Sequence, residues 1–420
     1  MACEVVTFQS TATAGNTQVV SLSNDSLNPN AIILQTAHTA NLGTLNTGLN
    51  HCTGVWSSKG NQCCMHARKG DGAGSAADSR TATAAYCLMN SSGSVIEEFR
   101  ITSVSAGSVT ITVDTAGDRD KYINMLCIEA DDAWVGYDDS KGSAGIQSHG
   151  DGDLDFEGDA LFMLLGHNTA MDDTEDVARD CIDWAISSSN RGANSNSYRS
   201  NDTERASIHS VTDVGISYST PNGGTPAVIT EADFSAWADG SFGIDWETVH
   251  ANPRFCCFLV LKGNVWLDES HALRTSTGTT DVTAPGFEPD FVYEQSSRAT
   301  GTTRTSSYAL AWGFSANDAG AGAGSTGCCY SNGGLNEANL DRELNGTAEA
   351  NTLLIRDDSA GATVLKRFHV QEFDASGFTR DYNTADGTAM NALSFAYAKA
   401  AAAAADKHIM TLTGAGIIAA

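Results

Sequence analysis

Three stretches of this chain share one pattern, a turn that runs straight into a buried, strand-favouring segment. They are Asn28-Pro29-Asn30-Ala31-Ile32-Ile33-Leu34, Glu157-Gly158-Asp159-Ala160-Leu161-Phe162-Met163-Leu164-Leu165 and Pro285-Gly286-Phe287-Glu288-Pro289-Asp290-Phe291-Val292-Tyr293. Pro29, Gly158 and Pro289 lie 129 (158 − 29) and 131 (289 − 158) residues apart. Other landmarks keep the same phase. Trp56, Trp184 and Trp312 are spaced 128 and 128 (184 − 56, 312 − 184), each on a short apolar stretch. Segments that open at Val95, Val228 and Val364 reach Gly107, Gly240 and Gly377 after 12, 12 and 13 residues. Each unit then closes on an apolar strand, at 125–128, 256–261 and 393–397. Four landmarks in one order, three times over, mean a triplicated chain, and they place the three tryptophans at equivalent positions.

A period this long excludes a solenoid, whose repeat of about 20–50 residues cannot bury its own face. Each unit is large enough for its own core. Alternation is clear in Arg100-Ile101-Thr102-Ser103-Val104 and Ser108-Val109-Thr110-Ile111-Thr112-Val113, while helical periodicity is scarce. The expected fold is mainly β, with three tandem, similar β-sandwich (jelly-roll-like) domains at 1–138, 139–268 and 269–400. Residues 401–420 follow as a short C-terminal helix and apolar arm.

The chain carries 24 Lys and Arg against 51 Asp and Glu, a formal charge of −27, which argues against a nucleic-acid partner because phosphate binding needs a basic footprint. No run approaches the roughly 18 apolar residues of a membrane span, and the N-terminus lacks a secretory pattern. The expectation is synthesis in a cytoplasm and no membrane partner.

Eleven cysteines, with adjacent pairs at Cys63-Cys64, Cys256-Cys257 and Cys328-Cys329, do not form an even disulfide framework; strand neighbours point to opposite faces. They read as buried free thiols. A zinc site from His51, Cys52, Cys63, Cys64 and His66 is the competing reading, but a CxxC half-site is missing. Asp151, Asp153 and Asp155 alternate as calcium ligands would, yet Phe156 and Phe162 stand where an EF-hand loop needs Gly and Glu, which favours an acidic, solvated linker. GxSxG, HExxH and GxxxxGK[ST] motifs are all absent. Paired carboxylates for glycoside cleavage stay open in any acidic chain. The expectation is therefore no enzyme, with no catalytic, cofactor-binding or metal residue and no cofactor.

In the third unit Gly286-Phe287-Glu288-Pro289-Asp290-Phe291-Val292, Phe373-Asp374-Ala375-Ser376-Gly377-Phe378-Thr379 and Ala396-Tyr397-Ala398-Lys399-Ala400 follow in order. This resembles the "GFxPDxV … FDxxGFT … AxxKA" modules of tailed-bacteriophage virion structural proteins. The first two units follow the pattern in outline: Gly158 replaces the proline, and Asn28-Pro29-Asn30 lacks the phenylalanine. The resemblance implies a β-sandwich module on virions and supplies no catalytic residue.

Two locations follow. A capsid decoration or cement protein would form a pseudo-trimer on the head surface, with the major capsid protein, other virion proteins and copies of itself as partners. A tail fibre or lectin-like adhesin would bind host surface glycans; fibres commonly carry heptads or collagen-like repeats, and none is visible here, which tips the reading toward the capsid. A polysaccharide depolymerase is the remote third reading.

Lys399-Ala400-Ala401-Ala402-Ala403-Ala404-Ala405-Asp406-Lys407 contains the best helix formers of the chain and leads into apolar 409–418. Helices below roughly 12–15 residues are marginal alone, so this segment needs a surface: its own third unit, or a neighbouring subunit or the shell. Deleting residues after Ala400 should weaken attachment to particles. Unchanged occupancy and particle stability would show that the segment makes no assembly contact.

Overall fold

The computed structural model describes residues 2–400 except 45, 48, 70–75, 82, 91–93, 118–119, 151, 167–173, 176, 200–204, 220–226, 298–307, 319–323, 334–339, 348–350 and 357–362. The arm at 401–420 thus lies outside the described residues. Strands make up 66% of the structure and the described residues contain no helix, so the chain is mainly β.

The first unit contains β1 (Cys3–Gln9), β2 (Thr17–Ser21), β3 (Ala31–Thr36), β4 (Asn46–Thr47), β5 (Leu49–Ser57), β6 (Lys59–Gly60), β7 (Gln62–Lys69), β8 (Ala76–Thr81), β9 (Tyr86–Met89), β10 (Val95–Ser105), β11 (Ser108–Ala116) and β12 (Tyr122–Ile128). The second has β13 (Asp132–Asp139), β14 (Gly145–His149), β15 (Ala160–Gly166), β16 (Thr174–Glu175), β17 (Val177–Ser187), β18 (Asn190–Arg199), β19 (Arg205–Ser210), β20 (Ile216–Ser219), β21 (Ala227–Ala238), β22 (Ser241–Thr248) and β23 (Phe255–Lys262). The third has β24 (Asn264–Ala272), β25 (Gly278–Val282), β26 (Phe291–Ser296), β27 (Tyr308–Ala316), β28 (Ser325–Gly333), β29 (Leu340–Asn345), β30 (Leu353–Arg356), β31 (Val364–Asp374), β32 (Gly377–Ala385) and β33 (Asn391–Ala398).

One plan is used three times. The larger sheets run β1-β12-β3-β5-β7-β8, β13-β23-β15-β17-β18-β19 and β24-β33-β26-β27-β28-β29. The smaller sheets run β2-β11-β10-β9, β14-β22-β21-β20 and β25-β32-β31-β30. Bulges recur too: the hairpins β10–β11, β21–β22 and β31–β32 shift register at Ile101/Ser103, Phe234/Ala236 and Val370/Glu372, and again three residues earlier in each. A bulge bends its strand and increases its twist, so the three smaller sheets share their curvature.

The chain passes from one pair of sheets to the next at 129–131 and at Gly263. The boundaries expected at 138/139 and 268/269 fall inside β13 and β24. The tryptophans also need correction. All three lie on the fourth strand of their larger sheet, but in register the counterparts of Trp184 are Val55 and Phe314, and those of Trp312 are Thr53 and Ile182. Trp184 and Trp312 face the centre of the molecule, whereas Trp56 packs inside the first sandwich. Trp56 is thus one residue out of register with Trp184, and Trp312 two residues out.

Each larger sheet is covered on both faces. Outward, Ile32, Leu34 and Cys127 meet Phe99, Ile111 and Val113 of the smaller sheet in the first unit, and the second unit packs likewise. Inward, Ile33, Val55 and Leu126 join Phe162, Trp184 and Leu259 and Tyr293, Trp312 and Phe395 in a single apolar cluster drawn from all three units. Trp184 stacks on Phe395 with ring centroids 3.8 Å apart and lies 5.6 Å from Tyr293. Strands buried on both faces need consecutive apolar residues, which is why β3 and β15 read as unbroken runs.

The units are also stitched by backbone. β4 of the first unit pairs with β29 of the third, and β16 of the second pairs with β8 of the first; both lie just before the fourth strand of their larger sheet. The matching stretch of the third unit, 298–307, lies outside the described residues. Gln35 Nε2 donates across the centre to Gly327 O (3.0 Å), and its counterpart Gln295 donates to Ile182 O (3.2 Å). Lys399 closes the ring on Glu129 at 2.6 Å.

Gly54 and Gly313 occupy equivalent positions where the chain crosses between sheets. A Cβ there would sit 1.9 Å from Ala85 O and 2.2 Å from Thr352 O. Gly54→Ala and Gly313→Ala should each destabilise by on the order of 1–3 kcal/mol in denaturant unfolding. Gly142→Ala, with open space around it, should change stability by under about 0.5 kcal/mol.

Candidate functional site

The second unit opens a cleft of about 140 Å³ between its first two strands, lined by Trp134, Tyr137, Asp138, Ser148, His149 and Phe258 with Gly150. β13 brings Trp134 and Asp138, four residues apart, to the same face, with Gly136 between them. Gly136 is needed there, because a Cβ would lie 1.9 Å from Trp134 Cη2: the indole lies across its own strand. Phe258, cross-strand from Gly136, and Phe242 flank His149 with ring centroids at 4.7 and 5.4 Å.

His149 Nδ1 lies 3.1 Å from Asp138 Oδ2, which also accepts from Gln147 Nε2 at 3.1 Å. A carboxylate only accepts, so the imidazole proton sits on Nδ1. Nε2 is buried without a partner. Burial pushes the Asp138 carboxyl up, but hydrogen bonds from His149, the Asp139 N–H and Gln147 outweigh it and hold the group below its ordinary value. The cleft therefore presents an ionised carboxylate beside aromatic rings, with no Lys or Arg on its lining. Ser148 neighbours His149 on a strand, so its side chain points to the opposite face and builds no Ser–His–Asp relay. Among the described residues Asp138 is the one carboxylate on the lining, so these residues do not form the pair that glycoside hydrolysis uses.

The repeat supplies an internal comparison. By register, His149 stands where the first and third units have Val20 and Val282, and Asp138 stands where the first has Phe8. Phe8 and Val20 are core residues of the first sandwich. A large apolar pair has become a smaller polar pair, and that exchange opens the cleft. Neither residue belongs to a recognisable motif, so only the aligned repeats could have pointed to it.

The residues weighed as metal ligands are not brought together. His51 and Cys63 face the central cluster, while Cys52 and Cys64 face the first sandwich's interior. His66 Nε2 lies 2.5 Å from Asn50 Oδ1, and Asn50 Nδ2 lies 2.6 Å from His38 Nδ1. A cavity of about 10 Å³ beside His51 and His66 is at most water-sized. Asp155 is tied to Lys59 at 2.8 Å, Asp153 is exposed, and Asp151 lies outside the described residues. All eleven cysteines are free and buried, and burial raises the thiols of Cys3, Cys64, Cys127 and Cys329.

Two buried polar groups are structural. In the third unit Glu294, Arg380 and Ser394 stand where the second has Met163, Ile244 and Phe258; Arg380 donates to Glu294 at 2.9 Å and to Ser394 at 2.8 Å, dividing that sandwich's apolar interior in two. In the second unit Asp183 replaces Gly54 and Gly313. Its carboxylate accepts the Gly215 N–H at 2.7 Å and lies 3.0 Å from Cys181 Sγ.

No protein-family model, curated protein or solved structure matches the chain.

Burial drives the Asp183 pKa up to about 8 against the lowering by Cys181 and the Gly215 N–H. Its unfolded value is near 3.9. The stability linked to this group is therefore complete below about pH 4 and is lost as pH rises through 8. Urea unfolding from pH 5 to 8.5 should show a steeper decline for the wild type than for Asp183→Asn. Parallel declines would assign the pH dependence to other groups.

Proposed function

We propose that this chain is a non-enzymatic structural protein of a tailed-phage particle. In this reading it is made in the host cytoplasm as three tandem jelly-roll-like domains, and it sits on the head surface as a single-chain pseudo-trimer, a decoration or cement protein. The observation that carries the proposal is ring closure: three sandwiches of one topology share a central apolar cluster, with strands lent from the first unit to the third and from the second to the first. A ring of three like faces matches the symmetry of a capsid threefold position, where each face meets an equivalent neighbour. The excess of acidic residues suits a crowded, many-copy surface. The module resemblance in 286–400 supplies the virion context.

The tail fibre or adhesin reading is favoured by one observation, the aromatic cleft on the second unit. A depolymerase finds no support in that cleft's single carboxylate.

Gold-labelled antibody on intact particles separates the readings. Label over the whole head is the expected result. Label confined to the tail would replace the decoration reading with the adhesin, and particles without label would remove the virion assignment altogether.

A further inference from the structure

We propose that the cleft between β13 and β14 binds one sugar ring, the terminal pyranose of a glycan. The inference goes beyond particle assembly and holds for a head or a tail location alike. At about 140 Å³ the cleft is well below the roughly 300–1,000 Å³ of a drug-sized ligand's pocket, so it admits one small ring or a chain end. Its wall is aromatic, from Trp134 and Phe258, and such faces suit the C–H side of a pyranose.

Asp138, with its side chain 48% exposed, offers ionised acceptor oxygens to neighbouring hydroxyls. The same carboxylate, with no basic residue on the lining, repels an anionic ligand. His149 holds Asp138 in place through Nδ1, and its unpartnered Nε2 is an acceptor within the same wall.

The strongest argument is comparative. The first unit fills this corner with Phe8, Val20 and Met125. The third fills it with His271, Val282 and Ser394, closed over by Arg380 and Glu294. Only the second places a carboxylate–imidazole pair there and leaves the space unfilled. Folding does not require this, since the other two units reach the same topology without it.

The test uses the full chain and saturation-transfer NMR with glucose, galactose, mannose and N-acetylglucosamine, plus choline as a cationic probe. Transfer to at least one sugar is expected, with Kd on the order of 1 mM. The double variant Asp138→Phe/His149→Val copies the first unit's pair, fills the cleft and should abolish transfer while retaining the wild-type melting temperature. If it does not fold, Asp138→Asn keeps the shape, removes the charge and should weaken binding about tenfold. Transfer undiminished in these variants would put the sugar elsewhere and overturn the proposal. So would transfer to no sugar, or to choline alone. None of these outcomes bears on where antibody labels the particle, so the two proposals fail separately.

Discussion

The constraint on which this molecule depends is that each larger sheet must be covered on both faces. β15 and β23 bury nearly every residue they contain, so one smaller sheet per unit can satisfy only half of what they expose. Three like sheets facing one another supply the rest, and the result is the central cluster in which Trp184, Tyr293 and Phe395 meet. A sandwich cut out of this chain would expose that inner face, a patch far too apolar for an isolated domain. The triplication is thus a physical requirement of the unbroken apolar runs, and the lent strands β4 and β16 lock the arrangement by backbone pairing.

The β character of the chain was legible, and the anchors at Ala31, Ala160 and Phe291 each open the third strand of a larger sheet, paired with the following apolar strand by the same register. The landmark dipeptides Val95-Ile96, Val228-Ile229 and Val364-Leu365 turn out to mark a shared bulge, which explains why they survive in all three units. Tryptophan spacing misled in detail: an offset of one residue moves a side chain to the other face of a strand and an offset of two moves it along the same face, and no count of residues reveals the face. Strand lending was illegible for a different reason. Two-residue strands such as β4 and β16 carry no periodicity, and their partner lies more than ninety residues away in one case and nearly three hundred in the other.

Polar residues inside the sandwiches show how one topology tolerates specialisation. Where Gly54 and Gly313 admit a crossing backbone, Asp183 instead reaches out a carboxylate to Gly215, so the same crossover is held by close contact twice and by a hydrogen bond once. Where the second unit has Met163 and Ile244, Glu294 and Arg380 form an ion pair in which Glu294 Oε1 also accepts from Ser394 and the ring of Phe378 lies 5.0 Å from the guanidinium, while Oε2 is buried without a hydrogen-bond partner. A buried pair of this kind contributes little net stability, but removing one partner strands the other charge.

The corner occupied by Phe8, Asp138 and His271 differs in kind. In the first unit it is apolar and filled, in the third polar and enclosed, and in the second polar and open. Burying an uncompensated polar group costs free energy, so an open, half-satisfied pair is less favourable for folding alone than the apolar filling of the first unit. The first unit demonstrates a cheaper way to close the same corner with the same strands. Retaining the open form therefore has to be explained by something outside the fold, and a ligand that meets Asp138 and His149 from solvent is the explanation that uses every feature of the cleft: the aromatic wall, the ionised carboxylate and the indole laid across Gly136.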